Sequence, residues 1–220
     1  MLLKILYEDN HLIAVFKPAG ILVQADDTGD VCLMDEVKNY LKEKYDKPGN
    51  VFLGMIHRLD RPVSGIVLFA KTSKGASRLS EQFRSHSIKK IYHTLVSGVP
   101  SKAQGTLVHY LLKDEKKNVV EVFDKPTGDA LQAELDYEVV KKLNEKSILK
   151  IILKTGRSHQ IRAQLSAIGC PIVGDVKYGG IKWDNTKEIA LCATDLEFKL
   201  PTKDEVILLH VDLPENWIRC

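Results

Sequence analysis

The sequence predicts an α+β fold built on a mixed, largely antiparallel sheet flanked by helices. Two observations carry this: strand-like segments outnumber helix-like ones, and several neighbouring strands are joined by turns too short to hold a crossover helix. The bulk numbers agree with a folded globular chain. It has 220 residues, of which 44% are hydrophobic and 28% charged, and folding a chain of this size removes roughly 70% of its extended surface from water.

Taken in order, Ile5–Tyr7 and Leu12–Phe16 read as short strands around Glu8-Asp9-Asn10-His11, a hairpin signal. Lys17-Pro18-Ala19-Gly20 breaks the pattern. Leu33, Met34, Val37, Tyr40 and Leu41 recur at helical spacing, which predicts an amphipathic helix over 32–45 that ends before Pro48-Gly49-Asn50. Gly65–Ala70 is an apolar run suited to a buried strand. Thr72-Ser73 then caps a helix marked by Ala76, Leu79 and Phe83. Strands are predicted at Ile91–Val96, 119–123, 131–140 and 147–154, with a solvated hairpin tip inside Lys113–Val122. Ser158–Ile168 reads as a helix stopped by Gly169 and Pro171, and 189–200 and 206–213 as the last strands.

The charge balance is 32 Lys and Arg against 29 Asp and Glu, a net +3. That permits a nucleic-acid partner without demanding one. Cys32, Cys170, Cys192 and Cys220 form no C-x-x-C pair, which disfavours a zinc knuckle or a redox motif. The opening residues lack the features of a signal peptide, and no apolar run approaches the ~20 residues that span a bilayer. A cytoplasmic protein with free thiols is expected. No repeat of fixed period and no low-complexity segment is visible.

Three segments can carry chemistry. In His57-Arg58-Leu59-Asp60-Arg61-Pro62-Val63-Ser64-Gly65, a predicted loop presents Asp60 among two arginines and a histidine, just before a buried strand. Asp60 there can be a reactive carboxylate or a turn cap paired with an arginine. A metal site from His57 and Asp60 lacks visible third and fourth ligands. In Thr155-Gly156-Arg157-Ser158-His159-Gln160-Ile161-Arg162, polar groups gather at a predicted helix start, where free N–H groups attract anions. On that helix Ser158, His159 and Arg162 share a face; a capped surface helix is the plainer alternative. In Lys89-Lys90-Ile91-Tyr92, a basic pair leads into a strand with an aromatic, which can be a base-stacking contact or part of the core.

Together these blocks resemble a known family. His57-Arg58-Leu59-Asp60 with Ser64-Gly65 and the apolar strand looks like the signature of RluA-type pseudouridine synthases. The resemblance extends to Lys17-Pro18-Ala19-Gly20, Lys90-Ile91-Tyr92 with Gly98, Thr155–Arg162, and Pro171-Ile172-Val173-Gly174-Asp175-Val176-Lys177-Tyr178-Gly179, in the family's order over nearly the whole chain. It implies an RNA substrate, transfer or ribosomal, whose uridines are isomerised. It implies a catalytic Asp at Asp60, a Tyr against the target base at Tyr92, and an Arg paired with that Asp at Arg162. It further implies that Arg58 can enter the RNA stack, and that His57, Arg157, His159 and Gln160 lie on the substrate side. Lys74, Arg84, Lys89, Lys90 and Arg157 are candidate phosphate contacts. No metal, organic cofactor, membrane or obligate protein partner is implied.

Two residues depart from the family pattern. Val63 stands where a Thr is common and Gln164 where a His is common. Many relatives carry a small RNA-binding domain ahead of the catalytic one. Here the first strand begins almost at once, so a single catalytic domain over 1–220 without that module is expected. Making pseudouridine breaks the N1–ribose bond, turns the uracil and joins C5 to the same carbon, so nothing is oxidised or hydrolysed. One carboxylate can serve as nucleophile or as general base. The rival readings are a non-catalytic RNA-binding protein with this fold and a glycosidase. The latter usually needs two placed carboxylates, and only one stands in the main motif.

Overall fold

The computed structural model describes residues 3–27, 29–183 and 187–217. The chain forms two compact units. One comprises Met1–Ile88 and Thr194–Val211, the other Lys89–Ala193 and Asp212–Cys220. The α+β organisation is the expected one, with three α-helices among the described residues and a mixed, largely antiparallel sheet.

In the first unit, Lys4–Glu8 (β1) and Leu12–Lys17 (β2) form an antiparallel hairpin. Asp9 makes its turn: Oδ1 accepts from His11 N and Leu12 N, both at 2.7 Å, as short acidic side chains do where the backbone reverses. Ser64–Ala70 (β4) pairs with β2 from Leu12↔Ala70 to Lys17↔Gly65. Leu12–Val15 and Val67–Ala70 have no exposed surface, which explains runs of apolar residues without alternation. Gly54–Met55 (β3) also pairs with β4; two residues are too few to leave a sequence signal. Leu191–Lys199 (β10) follows β4 in the order, with Val206–His210 (β11) antiparallel to it. The first three residues of β10 belong to the second unit.

Two helices pack in this unit. Leu33–Lys44 (α1) buries Leu33, Val37 and Leu41 on one stripe, with Asp35 and Glu36 in its first turn and Lys42 and Lys44 in its last, the placement a helix dipole favours. Ser73–Arg84 (α2) starts where Thr72 caps it, the hydroxyl accepting from Gly75 N at 3.1 Å.

In the second unit the order is β5-β9-β8-β6-β7. These are Lys89–Ser97 (β5), Gln104–Asp114 (β6), Val119–Phe123 (β7), Leu131–Leu143 (β8) and Lys146–Leu153 (β9). The sequence reading left 104–112 unassigned. That stretch is the first nine residues of β6, which pairs with β8 over Gln104–Leu111 and with β7 over Tyr110–Asp114. Its positions alternate exposed and half-buried over Gln104–His109, and beyond that they are half-buried or buried without alternation. Gln160–Ala167 (α3) packs Ala163 against Leu111, Val120 and Ala133, with Val122 and Tyr178 beside them.

The helix expected from Ser158 begins only at Gln160. His159 holds φ 48°, a left-handed backbone that no helix interior adopts. Ser158 and His159 therefore do not share a helical face with Arg162. Cys32, Cys170 and Cys192 are buried thiols, and Cys220 lies outside the described residues.

Candidate active site

The loop that carries Asp60 is anchored on both sides by its own neighbours. Leu59 and Val63 are buried at 6% and 2% exposure, and Val63 N donates to Asp60 O at 3.0 Å to close a turn over Arg61-Pro62. Asp60 itself is half-buried and Arg58 is exposed. Beneath the turn sits Lys17, with no exposed surface. Its ammonium donates to Ile21 O at 2.7 Å and to Pro18 O and Arg61 O at 3.1 Å, so three protons meet three carbonyls. Burial pushes its pKa down to about 7; the negative charge of Asp60 opposes that and the Arg61 charge adds to it. Arg61 returns the grip: Nε donates to Gly20 O at 3.0 Å, Gly20 N donates to Arg61 O at 2.8 Å, and Nη2 pairs with Asp30 at 2.6 Å. The Lys17–Gly20 turn is thus the clamp for the Asp60 turn.

His57 serves this frame. Its Nε2 accepts from Leu68 N at 3.0 Å and its ring stacks on Phe83 at 5.0 Å between centroids, 20° from parallel. A nitrogen that accepts from a backbone N–H has its lone pair in use, so the proton sits on Nδ1 and Nε2 is closed to a metal.

The other sequence-predicted residues lie in the second unit. Tyr92, on β5 opposite Ile151, is 9% exposed. Lys90, two residues before it, is half-buried, and burial pushes its pKa down. A Cβ added at Gly156 would stand 3.8 Å from the Lys90 Nζ, so this ammonium borders the 154–157 loop. That loop is tied by Gln160. Its Oε1 accepts from Thr155 Oγ1 at 2.8 Å and Arg157 N at 3.0 Å, and its Nε2 donates to Glu134 O at 3.0 Å. Gln160 is 3% exposed, and its amide is directed at its own chain. Arg157 is exposed, with Nε on Gln132 O at 3.0 Å.

Arg162 is 5% exposed and forks onto Asp175: Nε reaches Oδ2 at 2.6 Å and Nη2 reaches Oδ1 at 2.8 Å. Its guanidinium lies 5.0 Å from the Tyr178 ring centre. Asp175 is 1% exposed and sits between two glycines that cannot be replaced without strain. Gly174 has φ +88°, and a Cβ on Gly180 would strike the Ile172 carbonyl. Tyr178 is hydrogen-bonded in turn, its hydroxyl accepting from Val120 N at 2.8 Å and meeting His159 Nδ1 at 2.8 Å. The guanidinium is therefore held by a carboxylate below and a ring beside it, which aims it rigidly.

Two site residues escaped the sequence reading as individuals. Lys17 stood in a segment that breaks the strand pattern, and Asp175 only inside the Pro171–Gly179 block of the resemblance. The available signal was a charged residue flanked by turn-forming Pro or Gly in each block. The two departures from the family pattern are both buried. Val63 packs in the interior. Gln164 points its Nε2 at His109 Nδ1, 3.0 Å, and at Leu107 O and Ala133 O, both 3.3 Å, while its Oε1 has no partner among the described residues.

The chain matches the profile of the RNA pseudouridylate synthase family over residues 11–167. It is 30% identical over 234 residues to tRNA pseudouridine synthase C of Vibrio cholerae, covering 98% of this chain and 93% of that one. It is also 30% identical to tRNA pseudouridine synthase C of Pectobacterium carotovorum, covering 98% of this chain and 60% of the relative. Against the ribosomal large subunit pseudouridine synthase C of Buchnera aphidicola, identity is 36% over 184 residues, 81% of this chain and 55% of the other. In fold it is similar to the solved structure of human RNA pseudouridylate synthase domain containing 4, with a TM-score of 0.79, 23% identity, and coverage of 98% and 90%. With the family profile spanning most of the chain and the fold shared, this chain belongs to the RNA pseudouridylate synthases, the isomerases that turn uridine in RNA into pseudouridine.

Proposed function

We propose that the chain converts specific uridines of transfer or ribosomal RNA to pseudouridine, with Asp60 as the essential carboxylate and the two units acting as one catalytic domain. The observation that carries this reading is the clamped turn. An acid in the family signature is held half-buried by Lys17, Arg61 and two buried apolar neighbours, rather than hanging from a loose loop. Relatives named for tRNA and for the ribosomal large subunit support the substrate class, and a cytoplasmic location is in keeping with it.

In this reading Tyr92 faces the target base, and Arg162, aimed by Asp175 and Tyr178, serves the reaction together with Asp60. Arg58, exposed beside Asp60, fills the gap left when the uridine is everted, a step costing a few kcal/mol. Stacking on Tyr92, worth ~1–3 kcal/mol per base, offsets much of that cost. Arg157 and Lys90 serve the phosphates, His159 borders the substrate, and His57 and Gln160 act by holding their loops. The test is Asp60→Asn. Pseudouridine mapping on tRNA and rRNA is expected to show loss of product, with thermal stability and RNA affinity nearly unchanged; sustained turnover by this variant overturns the role.

A further inference from the structure

Residues 98–103 and 139–147 come together at one end of the second unit. Gly98 N donates to Glu145 O at 2.6 Å, Ser147 Oγ to Gly98 O at 2.9 Å, and Val139 N to Ala103 O at 2.7 Å. The β8–β9 hairpin closes here, with Lys142 opposite Ser147 and Leu143 opposite Lys146. A register shift between Val139 and Lys141 marks a bulge, the device that re-aims side chains at a strand end.

This tip carries Lys102, Lys141, Lys142 and Lys146 against one carboxylate, Glu145. Its excess of three positive charges equals that of the entire chain, whose 32 basic and 29 acidic residues otherwise cancel. Three other lysines of this unit are ion-paired: Lys113 with Glu115 at 2.6 Å, Lys117 with Asp114 at 3.5 Å, Lys154 with Asp136 at 3.0 Å. Among the described residues, none of the four tip lysines has an ion-pair partner, and three of them are exposed. The exposed apolar side chains beside them are small, Val99 and Val140, so the tip offers charge rather than apolar area.

The tip and Tyr92 share one ladder, in which Tyr92 pairs with Ile151 and Ser97 with Lys146. Five residues at ~3.4 Å each separate them by about 17 Å along the strand. We propose that the lysine tip is an RNA-backbone anchor that grips substrate phosphates about 17 Å along the sheet from the target uridine. The distance rests on Tyr92 marking the target base, as proposed above. Such contacts carry no sequence information; they fix register and orientation.

The test is fluorescence anisotropy with an unmodified tRNA transcript across a KCl series, with diuridylate as a probe too short to reach the tip from the Tyr92 position. The variant K102Q/K141Q/K142Q/K146Q is expected to bind the transcript at least about tenfold more weakly at low salt. Its log–log salt slope should fall by about three, since each lost phosphate contact is worth roughly 0.7–0.9. Diuridylate binding should be unchanged, and the matching four-arginine variant should restore both quantities. The smaller K141Q/K142Q variant, expected to show about half the slope change, guards against a folding defect. An unchanged slope in both variants overturns the anchor, as does loss of a protein partner with the RNA slope intact. Asp60-dependent pseudouridine formation alongside an unchanged slope sinks only the anchor. A reduced slope with no pseudouridine made in any RNA supports the anchor and sinks the proposed function instead.

Discussion

Lys17 has the appearance of an ordinary charge at the end of a strand, yet it is the most completely buried cation of the first unit. Its three hydrogen bonds are to carbonyls, one of them 44 residues away on Arg61. Removing the ammonium leaves three buried acceptors without a donor, and a buried group stripped of its partner costs ~1–3 kcal/mol. Lys17→Met is therefore expected to destabilise the protein by about 3 kcal/mol in urea unfolding. It should also slow pseudouridine formation, because the turn that presents Asp60 loses its clamp. Native stability in that variant would show that the carbonyls find other donors. His57 and Gln160 illustrate the same economy of position. Each stands in a block that resembles a catalytic signature, and each engages backbone groups of its own unit, His57 the Leu68 N–H and Gln160 the Arg157 N–H and the Glu134 carbonyl.

Elements are joined in the first unit by one carboxylate. Glu8, at the end of β1, receives Lys44 at 2.7 Å and Tyr40 at 3.1 Å on Oε2, and Tyr45 at 2.6 Å and Lys71 at 2.7 Å on Oε1. It thereby ties the end of α1 to β1 and to the residue that follows β4. Burial pushes the Glu8 pKa up, but hydrogen bonds from Lys44, Lys71 and Tyr45 outweigh it and hold the value at about 2. A free glutamate titrates near about 4.3, so the folded pKa is the lower one. The stabilisation is then complete above about pH 4.3 and is lost as the pH falls toward 2. Glu8→Gln should lower stability at pH 7 by roughly 2–3 kcal/mol, and urea unfolding at decreasing pH should show the gap to wild type closing between about pH 4.3 and 2. A gap that stays constant across that window would remove the carboxylate from the account.

At the scale of the whole molecule, isomerising a uridine oxidises nothing and hydrolyses nothing. Isomerisation moves a base and a proton, and the one histidine of the Asp60 signature has its Nε2 engaged by Leu68 N. Exhaustive chelation is expected to leave the rate of pseudouridine formation unchanged; activity that returns only on adding a divalent metal would contradict this. Most of the fold was legible in the chain. The hairpin around Asp9, the buried β4, the Thr72 cap and the α1 stripe each rest on contacts within a few residues, where periodicity and capping chemistry speak directly. β6 was not legible, because its half-buried positions acquire their pattern only when β8 and β7 lie on either side of it. The helix start at Gln160 was missed for a related reason. The left-handed turn at His159 goes with a hydrogen bond to Tyr178, 19 residues on.

What the order of amino acids established was the class of fold and the family, since these depend on local pattern and on a run of side chains in register. What the folded structure alone decided was who holds whom. Lys17 meets the Arg61 carbonyl, Arg162 meets Asp175, and four lysines gather at the β8–β9 tip across more than forty residues of chain. Hydrogen bonds and ion pairs act over a few ångströms, and only the packed strands and turns bring residues so distant in sequence within that reach.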